Sequence, residues 1–424
     1  MSRQIPFIGL LLVVALVAAA CGDDGPGGEG PGGEFGPGID GADEFGERYD
    51  ADPALVAQAL GPVGDIPDIV AASIYRAGLE VDDDTLAIAL TCFNNQECDT
   101  GTGGPLTMGV ADGGRGNAWR EVTHMEAILQ ALTYPEIGKI ISMDAQWDPD
   151  FTVAEGHIRF LIQSGVDFII GYPDQGSALA SVVLEAEAAG IPYIPYSAGW
   201  IGLSGQTGAL TPGQDYLTIV GEDLCKLGES YAGVLNEHAS DGTISVLGGT
   251  TGNALSAGWQ RCLQPSLDAR FTVDGPEDTF WFDPVVLQVV QGMLARNDDI
   301  TGFAYEYAHG LAYAFQAYDE LGIDVEDLVL AVRTDEPTLF CDWVDRGMSY
   351  EIWYSAGGNF QSRVAVTAAM MDHNGADIPA EIVIPHVMRQ PTADDCDPTR
   401  SERMQQVSNT SLVPEHVLEA MYAG

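Results

Sequence analysis

Short apolar runs alternate with longer amphipathic stretches over most of the chain. The clearest unit begins with the apolar residues 166–171, passes through a polar loop at 172–175 and continues as a helical pattern from 176 to 190. A second apolar run follows at 191–196. A continuously apolar strand followed by an amphipathic helix is typical of a parallel sheet that is covered on both faces. The pattern therefore predicts an α/β protein, and such sheets bind ligands in the loops at the carboxyl ends of their strands.

This alternation occurs twice. In the first half the pattern predicts strands at 85–91, 139–143, 166–171 and 191–196, with helices at 117–134, 151–164 and 176–189. After a Gly-rich crossover, the second half predicts strands at 243–247, 270–273, 300–304, 328–332 and 350–354, with helices at 223–238, 254–267, 284–296, 310–321 and 338–346. A helix at 361–373 and a strand at 381–385 are expected to cross back between the halves. Because so long a chain exceeds what one hydrophobic core usually serves, we expect two lobes.

The first residues indicate export. Arg3 precedes an apolar run at 5–20 that ends directly before Cys21. The run is shorter than the ~20 residues that a membrane-spanning helix needs, so a signal peptide at 1–20 with lipidation of Cys21 is the preferred interpretation. The alternatives are an uncleaved anchor or an ordinary secretory signal. All three place the bulk of the protein outside the cytoplasm, and the preferred one attaches it to the membrane.

The next residues lack the apolar content of a folded core. Residues 21–50 consist largely of Gly, Pro and acidic side chains, which is typical of a flexible tether. Residues 51–84 have helical patterning that Pro62 and Pro67 interrupt, and we expect a small N-terminal helical extension there.

The charge balance excludes one class of partner. The chain has 63 acidic and 17 basic residues, for a net charge of -46. Binding to a nucleic-acid backbone requires clustered Lys and Arg, so nucleic acid is not expected as a partner. A solvated acidic surface that is screened in salty surroundings explains the composition without assigning the charge a function.

Catalytic and metal motifs are missing from the sequence. It contains no G-x-S-x-G, no H-E-x-x-H and no phosphate-binding loop that ends in Gly-Lys-Ser/Thr. His309 follows a predicted strand but has no evident nucleophile beside it. No cysteine pair has the spacing of a zinc site. We therefore expect neither an enzyme nor a cofactor.

Three polar segments lie at the ends of predicted strands or the starts of helices, and they resemble those of a known family. They are Gly116-Asn117-Ala118-Trp119-Arg120, Asp144-Ala145-Gln146-Trp147-Asp148-Pro149 and Arg333-Thr334-Asp335-Glu336-Pro337. Together with the duplicated βα order, they are similar to the type I periplasmic solute-binding proteins of the ribose and galactose kind. The resemblance implies two Rossmann-like lobes with parallel sheets, joined by a multi-strand hinge. It places lobe 1 at 85–200, lobe 2 at 201–355, a return segment to lobe 1 at 356–380, and a return to lobe 2 with the C-terminal tail at 381–424.

The resemblance also implies a ligand site between the lobes. Its candidate residues are Phe93, Asn117, Trp119, Arg120, Asp144, Gln146, Asp174, Ser197, Asn253, Trp281, Phe282, Tyr307, Asp335 and Ser355. Several of them have a structural alternative. Trp119 could be a core residue, Asp144 could only cap a helix, and the aromatic pair at 281–282 could pack the edge of the lobe.

Departures from the family pattern bear on the ligand. Ser197-Ala198 and Tyr307-Ala308 stand where sugar binders often have charged or amide pairs, and Asn253 stands where an arginine is common. We therefore expect a site that holds its ligand by aromatic stacking and neutral hydrogen bonds. The implied function is capture of a small polar, sugar-like solute by a monomeric lipoprotein for an ABC transporter permease. A receptor of the same fold that signals to a sensor kinase is the alternative, and an exported α/β enzyme is less favoured.

Six cysteines remain besides Cys21, an even number that favours disulfides in an exported chain. Sequence alone permits about 15 pairings, and free buried thiols are the alternative. Cys92 and Cys98 flank a polar loop that a disulfide could close. The implied fold places Cys225 and Cys262 on neighbouring helices of lobe 2, and Cys341 and Cys396 on a late helix and the tail. We expect these three pairs.

Overall fold

The computed structural model describes residues 48–146, 150–197, 210–250, 253–355 and 357–423. The residues predicted to form the signal peptide, Cys21 and nearly all of the predicted tether lie outside these ranges. None of the helices in the described ranges is both long and apolar enough to cross a membrane.

Three helices precede the first sheet: α1 at Pro53–Leu60, α2 at Asp68–Ala77 and α3 at Asp83–Asn94. The prediction of a strand at 85–91 is wrong, because these residues belong to α3. The Asp82 carboxylate accepts a hydrogen bond from the backbone N–H of Thr85 and caps the helix. Asp83 and Asp84 lie in its first turn, where the helix dipole favours negative charge. An apolar run of seven residues is compatible with either a strand or a helix, and the N-terminal cap favours the helix here.

The first lobe contains a five-stranded sheet. Its strands in spatial order are β1 (Glu97–Asp99), β3 (Ile137–Asp144), β2 (Leu106–Asp112), β4 (Phe168–Gly171) and β5 (Tyr193–Pro195). Only β1 runs antiparallel to its neighbour. The helices that follow the parallel strands are α4 (Ala118–Leu132), α5 (Phe151–Ser164) and α6 (Ala180–Ala188). The true first parallel strand, β2, lies between residues 91 and 117, where the sequence pattern predicted neither a strand nor a helix.

The second lobe contains a fully parallel sheet. Its spatial order is β11 (Glu351–Tyr354), β10 (Val329–Val332), β9 (Ile300–Tyr305), β7 (Gly242–Gly248) and β8 (Phe271–Asp278). The associated helices are α7 (Leu224–His238), α8 (Ala254–Ser266), α9 (Asp283–Arg296), α10 (Ala308–Leu321) and α11 (Pro337–Asp345). Every residue of β10 is buried, as expected for a strand covered by helices on both faces. The predicted α/β fold with two parallel-dominated sheets is therefore confirmed.

Two further strands and one helix connect the lobes. β6 (Ile219–Glu222) pairs in parallel with β12 (Glu381–Ile384) in a separate two-stranded sheet, and an isolated parallel bridge between Val220 and Tyr196 links it to the end of β5. The helix α12 (Gln361–His373) packs against α2 and α4, so the chain returns to the core of the first lobe after β11. The last helix, α13 (Glu415–Met421), also joins this core and contacts α3. The tail therefore ends on the first lobe.

Three disulfides join the same cysteines as in the sequence prediction. They are Cys92–Cys98, Cys225–Cys262 and Cys341–Cys396. The first ties α3 to β1, the second ties α7 to α8, and the third attaches the C-terminal tail to α11.

Candidate functional site

A small cleft, with about 370 Å³ of empty space that includes open solvent, lies between the lobes. The first lobe contributes Asn117, Trp119, Arg120 and Tyr172, and the second lobe contributes Leu255, Trp281, Glu306, Tyr307, Arg333 and Thr334. Most of these residues follow a strand or begin the next helix, because the carboxyl ends of parallel strands meet at one edge of each sheet.

The N-terminus of α4 forms the first-lobe wall. Asn117 caps this helix by accepting a hydrogen bond from the N–H of Arg120 at 2.9 Å. Trp119 donates its indole N–H to the carbonyl of Gly357 at 3.0 Å, which joins the helix to the segment between the lobes. The cap and this hydrogen bond hold the adjacent side chains of Trp119 and Arg120 in the cleft.

Arg120 carries a donor that no described residue uses. Its Nη2 pairs with Asp174 at 2.6 Å, and its guanidinium lies 3.3 Å from the ring centroid of Tyr172. The Nη1 atom is buried and has no hydrogen-bond partner among the described residues. The carboxylate and the aromatic face fix the plane of the guanidinium, so Nη1 is oriented to donate to a ligand.

Glu306 is the acidic group of the second-lobe wall. It accepts hydrogen bonds from Ser256 Oγ at 2.5 Å, Trp259 Nε1 at 2.7 Å and Trp281 Nε1 at 3.1 Å. Burial raises the pKa of Glu306, and the three donors act against that rise. The indole of Trp281 packs directly on Gly249, where an added Cβ would lie 2.0 Å from the ring. Trp281 therefore needs glycine beneath it to reach Glu306.

Arg333 connects the cleft to the hinge. Its Nε donates to Glu222 Oε2 at 2.6 Å, and its Nη2 donates to Ser197 Oγ at 3.0 Å. The guanidinium carbon also lies 5.6 Å from the centroid of the Trp119 ring. Since Glu222 belongs to β6 and Ser197 follows β5, this one side chain contacts elements from both sides of the cleft.

Five of the sequence candidates line the cavity: Asn117, Trp119, Arg120, Trp281 and Tyr307. Two more, Asp174 and Ser197, hold its arginines. The sequence interpretation missed Tyr172, Leu255, Glu306, Arg333 and Thr334. Because these include two charged groups, the expectation of a largely neutral site needs correction. The position of Glu306 and Arg333 directly after apolar strands was the available signal.

Asp335 does not line this cavity. Its carboxylate is fully buried and accepts hydrogen bonds from the N–H and the hydroxyl of Thr410, both at 2.9 Å. Asn253 caps α8 instead, accepting from the N–H of Leu255 at 2.9 Å. Ser355 is also buried and donates to the carbonyl of Arg333 at 3.2 Å. All three act on the backbone behind the cleft wall.

The remaining candidates lie away from the cavity lining. Phe282 is 58% exposed, because the turn that buries part of Trp281 directs the next side chain outward. Phe93 lies on α3, because its segment is a helix and not a strand. Its ring centroid is 5.9 Å from that of His124. Asp144 accepts from the N–H of Gln146 at 2.8 Å, and Gln146 is exposed.

Glu336 supports the cleft wall although its burial disfavours the charged form of its carboxylate. It accepts from the hydroxyl of Thr334 at 2.6 Å and from the N–H of His309 at 3.2 Å, and its Oε1 is buried with no described partner. Burial raises the pKa of Glu336 from 4.5 to about 7. The folded protein therefore keeps a proton that the unfolded chain loses between these values, so this group lowers stability as pH rises through that window.

We expect Glu336→Gln to raise the free energy of unfolding above pH 7 by roughly 1–3 kcal/mol, with the gain vanishing near pH 4. The amide keeps an acceptor for Thr334 and His309 without a buried charge. Urea unfolding of wild type and variant across this pH range measures the difference. The exposed Glu187→Gln should show no such pH-dependent gain, and an equal difference at both ends of the range would contradict the assignment.

The fold and sequence relate the chain to known proteins. The family model of the periplasmic binding protein domain matches residues 109–374. No curated protein sequence matches the chain. Among solved structures, a galactofuranose-binding protein superposes with a TM-score of 0.58 at 17% identity, covering 68% of this chain and 95% of its own.

Two further structures show the same likeness. A Mycobacterium smegmatis protein in complex with β-D-fucofuranose has a TM-score of 0.56 at 19% identity, covering 67% of this chain and 91% of its own. An ABC transporter periplasmic solute-binding protein from Actinobacillus succinogenes with bound D-allose has a TM-score of 0.56 at 18% identity, covering 67% and 96%. At these identities the structures establish the fold, and the family match spans more than half of the sequence. The chain therefore belongs to the periplasmic binding protein domain family.

Proposed function

We propose that this protein captures a small polar, sugar-like solute between its two lobes and delivers it to an ABC importer. The observation that carries the proposal is the cavity itself, in which aromatic walls from both lobes surround the free donor of Arg120 and the carboxylate of Glu306. A sugar ring presents apolar faces to aromatic side chains and hydroxyls to donors and acceptors, so it complements this arrangement.

Lobe closure provides the mechanism. Trp119 and Arg120 belong to one lobe, whereas Glu306 and Trp281 belong to the other, so only the closed arrangement offers all of these contacts at once. A ligand that makes more contacts in the closed arrangement shifts the population towards it. The permease then recognises the closed form.

The related structures support a sugar as ligand. The proteins compared above hold D-allose and β-D-fucofuranose or are named for galactofuranose. Native mass spectrometry of the purified protein, followed by calorimetric titration of the identified solute, tests the proposal. A monosaccharide or similar polyol that binds at one site is the expected result. A protein that retains no solute and binds no member of a monosaccharide panel would contradict it.

A sensing role is the second candidate. A fructose-binding periplasmic domain of a hybrid two-component system also superposes, with a TM-score of 0.57 at 16% identity. Gene deletion separates the two roles. Loss of radiolabelled solute uptake supports transport, whereas intact uptake with a lost transcriptional response supports sensing.

The proposal includes attachment to the membrane from outside the cytoplasm. Residues 1–20 would form the signal peptide, Cys21 the lipidated N-terminus and residues 21–50 the tether to a monomeric binding domain. The proposed domain boundaries are those of the sequence interpretation, except that α3 joins the N-terminal extension and residues 381–424 pack largely on the first lobe instead of returning to the second. The family match supports an extracytoplasmic location.

We expect Cys21→Ser to release the protein from the membrane fraction, because no acyl chain can then be attached through the thiol. Fractionation and mass spectrometry of the N-terminus measure the effect. Gly22→Ala keeps the cysteine and should stay bound. Retention of the Cys21→Ser protein at the wild-type level would exclude the lipoprotein assignment.

A further inference from the structure

The tail after β12 contacts both lobes over a short stretch. We call residues 397–413 the C-terminal strap; it follows Cys396 and leads to α13. The family match ends at residue 374, so the strap lies beyond the matched region.

The second lobe holds the strap covalently and by hydrogen bonds. The Cys341–Cys396 disulfide attaches its start to α11. The hydroxyl of Thr338, also on α11, donates to the carbonyl of Gln405 at 2.9 Å. Asp335 accepts the two hydrogen bonds from Thr410 described above. These contacts extend along most of the strap.

The first lobe contacts neighbouring residues of the same strap. Arg403 forms an ion pair with Glu121 of α4 at 2.8 Å. Glu126, also on α4, accepts from the N–H of Leu412 at 2.7 Å and from the hydroxyl of Ser411 at 3.1 Å. The side chains of Met404, Val407, Leu412 and Val413 are buried in the core of the first lobe. The short 3₁₀ helix Met404–Gln406 contacts both α4 and α11.

The strap is therefore fastened to the elements that carry the cleft walls. Glu121 directly follows Arg120 on α4, and Asp335 follows Arg333 and Thr334 after β10. We propose that the strap restrains lobe opening. The lobes then separate far enough to exchange ligand only when the contacts between the strap and one lobe break. Because Glu121 and Asp335 move with different lobes, an opening that preserved every strap contact would have to be small. The role in ligand exchange rests on the proposed function, whereas the restraint on lobe separation is measurable without a ligand.

Two strap variants test the restraint. Thr410→Val keeps the side-chain shape but removes the hydroxyl donor to Asp335, and the double variant Cys341→Ser/Cys396→Ser removes the covalent attachment. The matched control is Cys225→Ser/Cys262→Ser, which removes a disulfide within the second lobe. Hydrogen exchange of the full-length chain without added solute reports on the strap, and small-angle X-ray scattering reports on the separation of the lobes.

We expect both strap variants to exchange the amides of 404–413 at least tenfold faster than wild type and to show a larger radius of gyration, with neither change in the control. Faster strap exchange at an unchanged radius of gyration would overturn the proposal, because the strap would then only pack against the lobes. Unchanged exchange in both strap variants would overturn it as well. If the double serine variant fails to fold, the Thr410→Val measurements decide.

Discussion

Trp281→Ala is expected to weaken binding of the captured solute by about tenfold or more, whereas Phe282→Ala should leave binding unchanged. The indole of Trp281 lines the cavity and donates to Glu306 at 3.1 Å. The hydrogen bond to a charged group contributes about 1.5–3 kcal/mol and an aromatic contact about 0.5–1.5 kcal/mol. The Trp281–Glu306 hydrogen bond is present with or without ligand, so its loss acts on affinity through the position of the Glu306 carboxylate. The lost aromatic contact alone corresponds to about two- to tenfold in the dissociation constant. Calorimetric titration with the solute identified by native mass spectrometry measures the dissociation constants of wild type and variants.

The neighbouring phenylalanine is a stringent control. Phe282 has the same sequence context and was an equal candidate by pattern, but its side chain is 58% exposed. Trp281→Phe should give an intermediate loss, because it keeps a ring and removes the N–H that Glu306 accepts. Equal losses in the two alanine variants would mean that the loop as a whole, and not the indole, determines affinity.

The second lobe was predictable from sequence to within a few residues at most element boundaries. Its strands include continuous apolar runs such as Val329–Val332, and the helices between them have their own polar faces. A strand that is buried on both faces consists mainly of apolar residues, so it is easy to recognise in the sequence. The hinge strand β6 was missed, because half of its four residues, Gly221 and Glu222, are not apolar side chains. The error at α3 arose where local capping outweighed a short apolar run.

The site was predictable in position more than in chemistry. Strand ends and the resemblance pointed to Trp119, Arg120, Trp281 and Tyr307. The role of Asp335 was not readable, because its partner Thr410 lies 75 residues away in the sequence. Arg333 likewise depends on Glu222, 111 residues away. A charged residue after a strand has the same local pattern whether it faces a ligand or a buried partner.

The same dependence on distant partners governs stability in the core of the first lobe. Glu126 is fully buried and pairs with Arg363 of α12, while its other oxygen accepts from the strap at Ser411 and Leu412. Arg363 also donates to Gln130 at 3.1 Å. One carboxylate thus joins three segments that are far apart in the chain. Removing it leaves a buried guanidinium with a single neutral acceptor among these contacts.

We therefore expect Glu126→Ala to lower the free energy of unfolding by about 3–5 kcal/mol, the typical cost of breaking a buried ion pair from one side. The matched control is Glu185→Ala, which removes the partner of Arg159 in an ion pair that is 36% and 47% exposed. Such exposed pairs contribute about 0–1 kcal/mol, because water and salt screen them. Urea unfolding of both variants at neutral pH provides the comparison. A loss for Glu126→Ala no larger than that of the control would show that the strap and α12 hold together through apolar packing alone.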